Sequence, residues 1–155
     1  MKTLFAEDDK FKLLYIGTEN NFASQKFHEL CDNKGPTVSL CKTEFYEIFG
    51  FYTSVPWKSI GDGQSIAGNA FAFKFLPSAK ILQIKQKGDM AHVWHACSHM
   101  FSDLKGLSII SHGDKANNKG YISPEIYDFP QQPKVDPKTF LAGAEYFKMR
   151  EVEVF

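Results

Sequence analysis

The side chains best suited to chemistry in this 155-residue chain are three cysteines, five histidines and the acids beside them. His28, Cys31 and Asp32 stand at i, i+3 and i+4, so on a helix all three fall within about one turn. A histidine so placed could lower the thiol pKa, the first requirement of a thiol enzyme or peroxide scavenger acting through Cys31. The competing reading packs Cys31 in the core, lets Asp32 bond backbone amides at the helix end and sets His28 beside the apolar face. An activated nucleophile also needs an exposed pocket and an oriented base. The expectation is therefore no catalytic residue, with Cys31 chemistry kept as an alternative.

His92, His95, Cys97 and His99 form the string HVWHACSH, four donors of the kind zinc accepts. On a single strand His95, Cys97 and His99 would share one side, but steps of about 7 Å per two residues spread them too far for one ion. Paired zinc spacings are missing as well, so no metal is expected. The loop from Gly61 to Gln64 has two glycines but no GK[ST] after it and no helix opening there, so no phosphate-binding cofactor is implied. Cys31, Cys41 and Cys97 make an odd count without CxxC spacing, which reads as free thiols in a reducing compartment.

The elements that must position these groups follow from patterning. With 15% aromatic residues, fifteen of them Phe, the chain has enough large rings for one substantial core, and its length suits a single domain over residues 1–155. Eighteen basic residues balance eighteen acidic ones, which removes the positive field needed to hold nucleic acid. No apolar run of about 18 residues is present, so no direct membrane insertion is expected. Glu7, Asp8 and Asp9 interrupt the N-terminal stretch where a signal peptide needs apolar residues. They read as solvated surface, and the expected location is the cytoplasm.

Ala23, Phe27, Leu30 and Cys31 recur at helical spacing and predict a short helix that begins between Asn21 and Ser24 and stops at Gly35-Pro36. From there to about Ile84 the period is 2. Val38 and Leu40 alternate with Thr37, Ser39 and Cys41. Residues 47–53 carry apolar side chains on both faces and predict an interior strand. Phe71, Phe73 and Phe75 are expected on the core face of a strand that turns through Pro77 and Ser78 into residues 80–84. Residues 55–69 and 111–121 read as loops, and Pro124, Pro130, Pro133 and Pro137 mark an irregular stretch. The last strand, residues 146–155, switches its apolar parity near Arg150, which predicts a bulge. The whole is a mainly β, α+β arrangement: a two-sheet antiparallel β-sandwich with flanking helices.

Three strings stand in the order and spacing of the TLDc domain: FHELCDNKGPT (residues 27–37), FGFYTSVPW (49–57) and FLAGAEYFKMREVEVF (140–155). IKQKGDMAHVW (84–94) and NNKGY (117–121) are similar to further family segments, so the resemblance runs from about residue 13 to 155. It implies a sandwich of two antiparallel sheets in proteins linked to resistance against oxidative stress. Several members bind the vacuolar proton-pumping ATPase and regulate its assembly, and no agreed reaction belongs to the family. The chain departs from the pattern at Phe51, where a second glycine is usual after Gly50, and at FSDLKGLSIISHGD (101–114), where Gly106 alone remains near the middle of a glycine-rich run. Only about eleven residues precede Lys12, where relatives usually carry helical segments.

The resemblance thus implies a non-enzymatic protein-binding module whose partner is the proton-pumping ATPase or another large complex, which would recruit it to a membrane or the cytoskeleton. A structural subunit of a large assembly is the alternative. Loops on a rigid sheet are where binding residues concentrate. The candidate contacts are His112, Lys115, Asn117, Asn118 and Lys119 in the loop 111–121, with help from residues 55–69. Asn117 and Asn118 could instead brace a turn. Trp57 is either core or an exposed anchor of the kind enriched at interface hot spots.

Overall fold

Helical spacing after Asn21 produces helix α1 (Ser24–Cys31), which buries Phe27, His28 and Cys31 along one face. Asn33 and Gly35 take positive φ values of 59° and 92° just past its end, and Pro36 then prevents its resumption. The computed structural model describes residues 10–61, 63–78, 80–88, 92–103, 107–128 and 135–155. Among these, α1 is the one α-helix, and twelve strands form two antiparallel sheets of six, stacked as an open sandwich. The acidic trio Glu7 to Asp9, Gly106, Pro130 and Pro133 lie outside the described residues.

The first sheet runs in the order β1 (Tyr15–Ile16), β12 (Met149–Val154), β2 (Thr37–Thr43), β3 (Ile48–Thr53), β5 (Ala70–Phe75) and β6 (Ile81–Lys85). Strand β3 is interior, as its two apolar faces require, and β5 and β6 are antiparallel neighbours. Register links Tyr15, Val154, Ser39, Phe51, Ala72 and Ile84 into one row across the sheet, all of them buried toward the partner sheet. The adjacent row, Ile16, Glu153, Leu40, Gly50, Phe73 and Gln83, lies on the outer face.

That alternation corrects the expected orientation of β5. Ala70 and Ala72 join the main core, whereas Phe71 and Phe73 form a separate outer cluster with Val38, Leu40 and Tyr52. The inner layer is already filled by rings from elsewhere: Phe51 stacks on Phe101 at 6.0 Å between centroids, and Trp57 lies against both. Only a small side chain fits beneath them at close packing. The displaced rings still leave water, because Phe73 folds over Gly50, where a Cβ would come within 2.2 Å of the ring. Phe71 stacks on Tyr52 at 4.9 Å. Phe75, at the sheet's end, stays 37% exposed.

The second sheet runs β11 (Tyr146–Phe147), β10 (Asn118–Gly120), β9 (Leu107–Ile110), β8 (His99–Ser102), β7 (His92–His95) and β4 (Gln64–Ala67). Two of these strands correct the loop readings. β4 lies within residues 55–69 as an edge strand paired to β7, and β10 lies within residues 111–121, paired on both sides. Both are short; β10 is polar, and β4 lies among Pro56, Gly61, Gly63 and Gly68, so patterning hides them. The C-terminal stretch divides between the sheets: β11 belongs to the second and β12 to the first, with the expected register shift between Met149 and Glu151.

Candidate functional site

Helix α1 brings His28, Cys31 and Asp32 together, but not as a nucleophile and its base. Burial, reinforced by the nearby Asp32 charge, pushes the Cys31 thiol up from 9.0 to about 12, and Cys31 has no exposed surface. A thiol that stays protonated so far above neutrality is a poor nucleophile. His28 uses its ring elsewhere: Nδ1 lies 2.7 Å from Asp32 Oδ1, and Nε2 lies 2.9 Å from the His99 carbonyl and 3.1 Å from that of Ala96. Asp32 therefore holds the imidazole instead of nearby amides. Cys41 is buried and its thiol is pushed up in the same way. Cys97 is exposed, with Sγ 3.8 Å from the Gly61 carbonyl.

The HVWHACSH string folds as a hairpin, β7 to β8, and its histidines are distributed along it. His95 is buried against Trp57 at 5.5 Å between ring centroids, with Nδ1 accepting the Lys58 amide N–H. His99 Nδ1 meets Ser98 Oγ at 3.0 Å. Burial lowers the pKa of both rings; at His95 the Asp32 charge opposes that shift while Lys58 and His28 add to it, and at His99 His28 adds to it. Among the described residues, no group of three or more His, Cys, Asp or Glu is set to hold a metal ion.

Loop 111–121 presents His112, Lys115 and Asn117 to solvent and Lys119 in part. His112 takes φ 55°, its amide donates to the Phe22 carbonyl, and its Nδ1 lies 3.2 Å from the Asn21 carbonyl. Lys119 Nζ sits 5.7 Å from the Tyr121 ring centre. Asn118, by contrast, is fully buried as a brace: its Nδ2 donates to the carbonyls of Gly113 and Phe147, and its Oδ1 accepts the Ile110 N–H. It is removed from the contact surface because a buried amide must satisfy its own polar atoms. Trp57 is removed for the same kind of reason. Only 1% exposed, it donates its indole N–H to Thr37 Oγ1 at 2.8 Å and packs on Phe27, Phe51 and Phe101. In the folded domain it is core, not an anchor.

A surface that sequence reasoning missed lies on the outer face of the first sheet. Phe11, Val38, Leu40, Phe73, Phe75, Ile81 and Phe155 line an apolar groove of about 310 Å³. Phe11 meets Phe155 edge to face at 6.4 Å, so both ends of the described chain close one side of it. Phe11, Phe75 and Ile81 are 52%, 37% and 46% exposed, a contiguous apolar surface of the sort that marks contact sites. The signal available in sequence was the apolar outer parity of the strands now seen as β2 and β5.

The architecture is that of an antiparallel two-sheet β-sandwich. The family model for the TLDc domain matches residues 3–155, essentially the whole chain, and the chain belongs to the TLDc family. No curated protein matches it. Among the described residues no helix is long and apolar enough to cross a membrane.

Proposed function

We propose that this TLDc domain is a non-enzymatic protein-binding module that joins or regulates a larger assembly in the cytoplasm. The observation that carries this reading is the exposed apolar groove around Phe75 and Ile81. Apolar side chains left in contact with water are the part of a surface that a partner stabilises most by covering. Loop 111–121 supplies a second, polar contact area through His112, Lys115, Asn117 and Lys119. The resemblance to family members that bind the vacuolar proton-pumping ATPase makes that enzyme the first partner to test.

Thiol catalysis at Cys31 is opposed by its burial and raised pKa. The test measures binding of the purified domain to the cytosolic part of the proton-pumping ATPase, alongside peroxide turnover by the domain alone. Saturable binding without turnover is the expected result. Peroxide turnover abolished by Cys31→Ser in a folded protein would replace this reading with the thiol enzyme.

A further inference from the structure

His28 has only acceptors in front of both ring nitrogens. Nδ1 faces the Asp32 carboxylate at 2.7 Å, and Nε2 faces two carbonyls, those of Ala96 and His99, at 3.1 and 2.9 Å. A neutral imidazole carries one N–H and one lone pair, so it can satisfy one side and must turn a lone pair toward acceptor oxygen on the other. The ring is 6% exposed, which leaves little room for water to repair the mismatch. The contacts are complete only when the His28–Asp32 pair holds one proton more than a neutral histidine beside a carboxylate.

The two sides of the ring belong to different parts of the fold. Asp32 is the C-cap of α1, whereas Ala96 and His99 flank the turn that joins β7 to β8. His99 also donates its backbone N–H to the Ala96 carbonyl, so His28 binds both carbonyl ends of one tight turn. Helix α1 packs on β8 and β1, and this imidazole is one polar tie to the second sheet, beside the bond from the Ser24 amide to Ser111 Oγ just after β9.

We propose that the His28–Asp32 pair is a proton-dependent clamp that docks α1 onto the β7–β8 turn and releases it when the extra proton is lost. The groups around the ring favour this assignment. From its own helix it meets Asp32, with the Phe27 ring edge at 5.2 Å and the protonated Cys31 thiol beside them. Lys34 follows the helix and lies within electrostatic range of Cys31. From the hairpin, His95 and His99 lie within electrostatic range of it, both held toward the neutral form by burial. Lys58 acts on His95 from the segment after β3. Of the three clustered histidines, His28 is the one whose two nitrogens both require a proton. The dependence has one sign: the clamp is complete at low pH and loses one end as pH rises.

Two measurements on the intact domain test this. In the first, nitrogen-15 NMR of wild-type protein reads the state of the His28 ring across roughly pH 5 to 8, where histidine changes charge. N–H signals from both nitrogens at the acidic end, with one lost on raising pH, are expected. In the second, amide exchange at Cys97 to His99, corrected for the intrinsic pH dependence, follows turn opening. Loss of one charge-assisted hydrogen bond should raise opening on the order of tenfold over that range in wild type. His28→Gln, with a single donor nitrogen, should show a flat profile. A His28 ring with one N–H throughout overturns the proposal, even if the variant fails to fold. So does identical pH-dependent opening in a folded His28→Gln variant.

Discussion

Replacing Trp57 by phenylalanine isolates the claim that this residue is a core member and not a partner anchor. The indole donates to Thr37 Oγ1 at 2.8 Å, and Thr37 is 2% exposed. Phenylalanine keeps a ring near Phe27, Phe51, Phe101 and His95 but removes the N–H and part of the ring volume. Leaving a buried hydroxyl short of a partner costs about 1 to 3 kcal/mol, and the residual void adds to it. A total of about 2 to 3 kcal/mol lowers Tm by roughly 4 to 12 °C in a domain of this size. Trp57→Ala should cost about 3 to 5 kcal/mol, a large share of the roughly 5 to 15 available to a domain. Circular dichroism melting, repeated in denaturant to obtain free energies, gives the numbers. Partner affinity should be unchanged in the phenylalanine variant at temperatures where it is folded. A Trp57→Phe protein that melts like the parent but no longer binds would refute the burial argument outright.

Three further outcomes follow from the same geometry. Gly50→Ala should destabilise the fold by several kcal/mol, because its Cβ would meet the Phe73 ring and the Ser39 carbonyl oxygen at 2.7 Å or closer, and a wild-type melting curve would contradict the ring placement. The Cys31 thiol has a higher pKa folded, about 12, than its ordinary 9.0, so its contribution to stability is fully present below pH 9 and falls as pH rises toward 12. That loss is at most about 1.4 kcal/mol per pH unit, and alkaline denaturation should be visibly shallower in Cys31→Ala. Changing Lys115 and Lys119 together to alanine should move stability by no more than about 0.5 kcal/mol while weakening partner binding, His112 being left in place because it holds φ 55° and a contact to the Asn21 carbonyl. Full retention by that variant would exclude the loop's charged face.

The helix was legible because period and punctuation agree: apolar residues at helical spacing run into Gly35-Pro36, and α1 ends before them. Strand β3 was legible because apolar side chains on both parities leave it no edge position. The orientation of β5 was not. Hydrophobicity ranks three phenylalanines above alanines, but the layer beneath β5 is filled by Phe101 and Trp57, which arrive from other parts of the chain. Strands β4 and β10 escaped notice because short segments acquire a strand's backbone bonds from neighbours distant in sequence. The bracing role of Asn118 was one of two readings its residue type allowed, the other being a partner contact, whereas the acceptors on His28, at Ala96 and His99, exist only after the β7–β8 hairpin folds. The groove depends on Phe11 meeting Phe155, a contact no local pattern encodes.

The central claim, that the apolar outer face is a protein-docking surface, is tested most directly by Phe75→Asp with Ile81→Asp. Both side chains are at least a third exposed but stand opposite each other across β5 and β6, so the two like charges lower stability, and binding is compared at a temperature where both proteins are folded. Affinity of each purified protein for the cytosolic part of the proton-pumping ATPase would be measured by calorimetry. The account predicts that the parent binds and that the folded double variant loses at least tenfold in affinity. Equal affinity of parent and variant would contradict it.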